Sequence, residues 1–258
     1  MVKIPKIIHY CWFGRNPLPP LALECIASWK KSLPDYEIRE WNEENFDVNV
    51  IPYTAEAYRQ GKYAFVSDYA RFWILHKYGG LYFDTDVEVI CPLDDIIAKG
   101  PFMGFETDPD GENSPLRYPP RYAFGVNIGL GCGFDKGNVF LGRMLEVYEN
   151  LRFQDPKMNP NLKTVVAYVT ETLMERGLDC KKGIQCVDGV SIYPREYFAP
   201  INVISGRLHI TQNTRSIHRY MGSWDKTKEN GLRKNIRNII PEFFFFSWNR
   251  IKRRKYKR

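Results

Sequence analysis

The chain has 258 residues, 44% of them hydrophobic and 26% charged, and a formal net charge of +7. That size and composition describe a globular protein with a sizeable core in one domain, or in one domain with additions. The charge is uneven: residues 233–258 hold ten Lys/Arg and one acid, so they carry +9 and leave −2 for residues 1–232, which gives no sign of the basic face a nucleic-acid-binding body needs.

Six cysteines are scattered and none pairs at the C-x₂-C spacing of zinc sites. Cys11, Cys91 and Cys132 lie in apolar or Gly-rich context and read as buried thiols. The first residues contain no apolar h-region, and no run of about 18–20 apolar residues occurs. The expectation is a protein of the reducing cytoplasm with neither a secretory signal nor a bilayer span.

Ile4 to Phe13 is a strongly apolar run ended by Gly14 and the prolines at 17, 19 and 20, and it reads as a buried first strand. Trp12 stands at its C-terminal end. In an open α/β sheet ligands bind outside the carboxyl ends of strands, so Trp12 either stacks on a nucleobase or packs as a core aromatic. Leu21 to Leu33 has helical spacing, with Leu21, Cys25 and Trp29 four apart, and Tyr36 to Trp41 alternates as a second strand. A β–α–β start with a deeply apolar first strand predicts an α/β sheet.

Tyr63 to Tyr78 is the next strong helix, stopped by Gly79 and Gly80. Asp68 and Arg71 interrupt its apolar face three residues apart, where they can pair as a salt bridge or line a cleft. The run Leu81-Tyr82-Phe83 then leads into Asp84-Thr85-Asp86, and Val87 to Ile90 begins at once. On a regular strand Asp84 and Asp86 would share a face, with Thr85 turned away. In a turn at the strand end both reach one hard cation that also touches a substrate phosphate, which suits Mg²⁺ and Mn²⁺; the alternative is a solvated turn.

Ile90 to Ile97 reads as a turn and short helix, Phe102 to Phe105 as a short strand, and Thr107 to Arg121 as a long loop of the lid kind. Phe124 to Leu130 is a predicted strand with one polar residue, Asn127, which must meet a ligand or satisfy a backbone group. Gly129, Gly131 and Gly133 do not make a dinucleotide fingerprint. Val139 to Leu151 and Leu162 to Arg176 are amphipathic helices, Val187 to Tyr193 a short strand, and Leu208 to Ile210 an edge strand. Ser216 to Trp224 contains His218, a candidate third ligand for a Mn²⁺ held by carboxylates, and Ser223 and Trp224, candidate donors to a phosphate or glycosidic oxygen. From Ile236 to Arg258, Phe243 to Phe246 and Trp248 stand among basic residues. This tail reads as an interfacial segment on anionic lipid, or as a basic tail that is disordered or packs on the body.

Three stretches, IPKIIHYCWFG, FVSDYARFWILHKYGGLYFDTDVEV and SIHRYMGSW, resemble in that order glycosyltransferase family 32, over roughly residues 3–225. That family includes bacterial capsule and lipopolysaccharide sugar transferases and the Och-type mannosyltransferases, and the constellation is similar to the catalytic domain of the clostridial glucosylating toxins. The middle stretch is the specific one; the tail and the 107–121 loop are not covered. The resemblance implies a GT-A fold, a Rossmann-like mixed sheet flanked by helices, over residues 1–232. It also implies a nucleotide-sugar donor, a divalent cation (Mn²⁺ or Mg²⁺) and retention of anomeric configuration. Carried over residue by residue, it gives Asp84 and Asp86 the metal, diphosphate and ribose, with Asp86 as the direct ligand. It gives Asp68 and Arg71 the donor sugar hydroxyls, Trp12 the base, Asn127 a place near the anomeric carbon, His218 the metal, and Ser223 with Trp224 the β-phosphate. The toxins carry an acidic residue near the late metal position where this chain has His218.

The expected activity is therefore metal-dependent, retaining transfer of a hexose or N-acetylhexosamine from a UDP-sugar to a saccharide acceptor, with GDP-mannose as the second donor. The acceptor expected is a lipid-linked oligosaccharide of capsule, O-antigen or exopolysaccharide synthesis, at the inner face of the cell membrane. Charge builds on the β-phosphate as the glycosidic bond breaks, and a cation with Ser223 and Trp224 would stabilise it. With no enzymic nucleophile evident, front-face attack by the acceptor is expected. Three other readings compete. A nucleotidyltransferase would need a basic Gly-rich loop, for which Gly14-Arg15-Asn16-Pro17 is a poor substitute. A non-catalytic glycan- or nucleotide-binding module would not need Asp68, Arg71, Asp84 and Asp86 intact. A nucleic-acid binder would have to be led by the tail.

Overall fold

In the computed structural model, which describes residues 4–109, 124–154, 163–202 and 205–221, the apolar first run forms β1 (Ile7–Cys11), buried from Ile8 onward. Its flanks Ile4 and Phe13 are buried but lie outside the strand. α1 (Pro20–Ser32) begins on a proline, whose missing N–H is not needed in a first helical turn, and leads to β2 (Glu37–Trp41), parallel to β1. α2 (Pro52–Arg59), which the sequence reading did not anticipate, precedes α3 (Tyr63–Tyr78), whose bounds are those predicted. β3 (Gly80–Tyr82) follows and lies parallel to β1 on its other side.

Beyond β4 (Val87–Val89) and α4 (Asp94–Ile97) come β5 (Phe102–Thr107), β6 (Gly125–Asn127), β7 (Cys132–Phe134), α5 (Val139–Glu149), α6 (Val165–Met174), β8 (Gln185–Val187), β9 (Val190–Tyr193) and β10 (Ser216–His218). The main sheet has eight strands in the order β2-β1-β3-β7-β5-β9-β8, with β6 paired to β5; β4 and β10 form a separate antiparallel pair. β7 is antiparallel to both β3 and β5, and β9 is parallel to β5. So β1, β2, β3, β5 and β9 run one way, and their carboxyl ends share one edge.

Side chains alternate across the sheet and divide the core in two. Ile8, Tyr10 and Leu81 pack with Cys25, Ile26 and Trp29 of α1. Cys11, Tyr82 and Trp41 pack with α2, α3, α5 and α6 on the opposite face. The expected α/β fold, a mixed sheet flanked by helices, is the one observed.

Four expectations are corrected. The run Phe124 to Leu130 is not one strand: β6 stops at Asn127, whose side chain accepts the Gly129 N–H at 2.7 Å and turns the chain into a 3₁₀ turn, Ile128–Leu130. Val187 to Tyr193 is the end of β8 and all of β9, a hairpin turned at Asp188 and Gly189, both at positive φ (49° and 77°). Leu208 to Ile210 contributes a single bridge, Ile201 to Leu208, in place of a strand. Cys91 is half-buried, whereas Cys25 joins Cys11 and Cys132 in the core. Among the described residues no helix is long and apolar enough to cross a membrane. Ser223, Trp224, the 233–258 tail and most of the 107–121 loop lie outside the described residues.

Candidate metal and donor site

Asp84 and Asp86 sit at the carboxyl edge of the sheet because β3 ends there in a reverse turn, closed by Val87 N–H donating to the Asp84 carbonyl at 3.0 Å. The turn, not a strand, brings the two carboxylates together. Asp84 N–H donates to the Gly129 carbonyl at 3.0 Å, which ties the motif to the turn that follows β6. The Asp84 carboxylate also accepts the Tyr82 hydroxyl at 3.2 Å.

Arg71 reaches Asp84 from α3. Its Nη2 lies 3.0 Å from Asp68 Oδ1 and 3.3 Å from Asp84 Oδ1, and its Nε donates to the Ser67 carbonyl at 3.0 Å. The guanidinium is nearly sealed from solvent, 4% exposed, and lies 5.1 Å from the Tyr82 ring centroid. Its donors are spent on the buried Asp68 and the half-buried Asp84, both of which have the more open side chain of their pair with Arg71. Burial pushes the Asp68 carboxyl up to about 7, against the pull of Arg71. Burial raises Asp84 too, again opposed by Arg71.

Asp86 is held differently. Its Oδ1 lies 3.2 Å from His218 Nε2 and its Oδ2 accepts the Met221 N–H at 2.8 Å. β10 delivers His218 by pairing with β4 in the register His218 to Val87. Burial works upward on Asp86 but is overcome by His218 and the Met221 N–H, which hold the carboxyl below its usual range. Burial works downward on His218, yet Asp86 raises the imidazole to about 9. His218 Nδ1 is buried with no hydrogen-bond partner among the described residues.

Ligand atoms of Asp84, Asp86 and His218 lie within 4.8 Å of one another. Two carboxylates and an imidazole converging at that spacing fit a hard divalent cation such as Mn²⁺ or Mg²⁺ that keeps places for water and phosphate oxygens. The field that draws a proton onto His218 is the field such a cation would meet.

Trp12 occupies the same edge, in the loop after β1. Its indole N–H donates to the Asn16 carbonyl at 2.6 Å. The loop is pinned further by Gly14 N–H on Glu43 Oε1 at 2.7 Å, and Gly14 (φ 98°) leaves the space that the Tyr63 ring fills. Asn127 is committed at both ends of its amide: Oδ1 to the Gly129 N–H and Nδ2 to Glu106 Oε1 at 3.3 Å. The sequence reading did not single out Gly129, Tyr82 or Glu106. The signal for Gly129 was present in the Gly-rich stretch after Asn127, where glycine marks close approach and not a phosphate loop.

Residues 19–103 match a family model described as glycosyltransferase sugar-binding region containing DXD motif. That stretch contains Asp68, Arg71, Asp84 and Asp86, with Asp84-Thr85-Asp86 as the motif. Over this region, a third of the chain, the sequence is similar to glycosyltransferases that carry the DXD motif. Among similar proteins, inositol phosphoceramide mannosyltransferase 3 of Schizosaccharomyces pombe is 32% identical over 152 residues, which are 57% of this chain and 37% of that one. Inositol phosphoceramide mannosyltransferase 1 of the same yeast is 29% identical over 136 residues, 48% of this chain and 41% of that one. The chain thus spans about two fifths of the length of these relatives. Among solved structures, the PaToxG glycosyltransferase is similar at a TM-score of 0.45 and 18% identity, over 67% of this chain and 69% of that one.

Proposed function

We propose that this chain is a metal-dependent glycosyltransferase that moves a hexosyl group from a nucleotide-sugar to a saccharide acceptor with retention of configuration. The observation that carries the reading is the convergence of Asp84, Asp86 and His218 beside the Asp68–Arg71 pair, at the carboxyl edge of an α/β sheet. Asp84, Asp86 and His218 would hold the cation, and a bound divalent cation supplies positive charge to diphosphate oxygens, where charge develops as the glycosidic bond breaks. Arg71 fixes the Asp84 carboxylate and opposes the upward push that burial gives its carboxyl. Asp68, at the rim of the same pair, accepts a hydrogen bond from a donor sugar hydroxyl. Trp12 offers its ring to the base.

Mannose is the favoured sugar, because both relatives described above are named mannosyltransferases. GDP-mannose therefore moves ahead of the UDP-sugars that the sequence alone placed first. Those relatives are also named for inositol phosphoceramide, which supports an acceptor with a lipid part.

The test is donor cleavage across a panel of GDP- and UDP-sugars, with Mn²⁺ and with chelator. Expected are Mn²⁺-dependent cleavage of one donor, GDP-mannose first, and loss of at least roughly 100-fold in Asp86→Asn. No binding or cleavage of any donor, or an Asp86→Asn enzyme as active as wild type, would overturn the reading.

A further inference from the structure

β5 and β6 pair with Gly104 opposite Asn127 and Phe105 opposite Val126, but the next pair is Thr107 opposite Gly125. Glu106 is the extra residue, so three residues of β5 span what two span on β6. A bulge of this kind re-aims the side chain it inserts, and bulges gather beside active sites. Phe105 and Thr107 are buried, whereas Glu106 between them is half-buried.

The bulge lies at the carboxyl end of β5, which runs in the same direction as β3. Glu106 therefore opens on the edge that carries Asp84 and Asp86. One hydrogen bond fixes it there. Its Oε1 accepts the Asn127 amide at 3.3 Å, and Asn127 in turn fixes the Gly129 turn that bonds Asp84. Its charge also acts on His218 and Tyr220.

A saccharide acceptor presents hydroxyl donors, and a carboxylate accepts two of them side by side. Asp84, Asp86 and Asp68 are engaged by Arg71, His218 and the Met221 N–H, where a donor diphosphate and its sugar would lie. We propose that Glu106 is the acceptor-binding carboxylate, which takes hydrogen bonds from hydroxyls of the incoming saccharide and so selects it. The inference rests on the transferase reading above.

Glu106→Gln separates this role from a structural one, because its amide oxygen still accepts the Asn127 N–H. The probes are GDP and UDP with Mn²⁺, measured by calorimetry, and methyl hexopyranosides added to the enzyme–nucleotide complex, measured by saturation-transfer NMR. In Glu106→Gln, glycoside binding is expected to weaken roughly 10- to 100-fold, the worth of a charge-assisted hydrogen bond. Nucleotide affinity and the thermal midpoint should stay as in wild type, and Glu106→Ala should weaken glycoside binding at least as much. Three outcomes overturn the inference: unchanged glycoside binding in the variant, absence of glycoside binding to the wild-type complex, or nucleotide affinity falling in step. A wild-type enzyme that binds neither nucleotide is a different result, because it sinks the transferase reading and the inference with it.

Discussion

Asp84 occupies the space that a side chain on Gly129 would need. A Cβ built on Gly129 overlaps Asp84 Oδ2 and stands 2.8 Å from Asp84 Cγ and 2.9 Å from Arg71 Nη1. The two residues are also joined along the backbone, by Asp84 N–H on the Gly129 carbonyl. Gly129 is thus required for room and not for an unusual backbone angle. Gly129→Ala must displace either the carboxylate or the turn. The expected cost is about 1–3 kcal/mol of stability, as for overpacking elsewhere in a core. Mn²⁺ affinity, measured by calorimetry, should fall more sharply than that of an alanine placed at Gly137, around which a Cβ meets nothing. Equal Mn²⁺ affinities in the two variants would show that Asp84 is not held in place by this contact.

Arg71 is the counter-charge for the buried Asp68 and the half-buried Asp84, and its removal leaves Asp68 without its ion-pair partner. Arg71→Met is expected to lose about 3–5 kcal/mol in urea unfolding, the usual cost of breaking a buried ion pair from one side. Arg71→Lys keeps the charge but not the planar fork that spans Asp68 and Asp84, so it should recover only part of the loss. A methionine variant within 1 kcal/mol of wild type would mean that the carboxylates are accommodated without the guanidinium.

Much of this geometry was legible because its causes are local. The helix Tyr63–Tyr78 could be read from its apolar density and its two-glycine stop, and the Asp68–Arg71 pair from helical spacing. The paired aspartates could be read from their place at a strand end. What could not be read depends on partners distant in the chain. Gly129 meets Asp84, and Glu106 is aimed by a bulge that exists only against β6. His218 was read as the third ligand, but the β4–β10 pairing that delivers it to Asp86 was not. Strands of three residues, such as β7 and β10, carry too little alternation to declare themselves.

One local signal was present and overlooked. Asp188-Gly189 is a two-residue hairpin turn inside what reads as a single strand, with both residues at positive φ. Gly189→Ala places a β-carbon in a backbone region costly to L-residues, about 1–2 kcal/mol. Nothing lies within 4 Å of that Cβ, so the loss is one of conformation and not of contact. Thermal unfolding should show it while donor cleavage stays unchanged; a fall in cleavage would mean that the hairpin reaches the site.

His9 joins the start of the sheet to the end of α3, and it does so as a neutral imidazole. Its Nε2 lies 2.9 Å from the Gly79 carbonyl, and its Nδ1 accepts the Trp41 indole N–H at 3.0 Å. The indole is only a donor, so Nδ1 is bare and Nε2 carries the proton that Gly79 receives. A second proton would have to displace Trp41. Burial, helped by the charge of Arg39 and opposed by the Gly79 bond, lowers the imidazole from 6.5 to about 4. Above pH 6.5 it is neutral folded and unfolded, and adds no pH dependence. Between pH 6.5 and 4 only the unfolded chain takes up the proton, so stability falls as pH falls. Below pH 4 both states are protonated and the loss is complete, at roughly 3 kcal/mol. Urea midpoints from pH 7.5 to 4.5 should therefore drop faster in wild type than in His9→Gln, which has no proton to gain. Parallel curves for the two proteins would remove His9 as the cause.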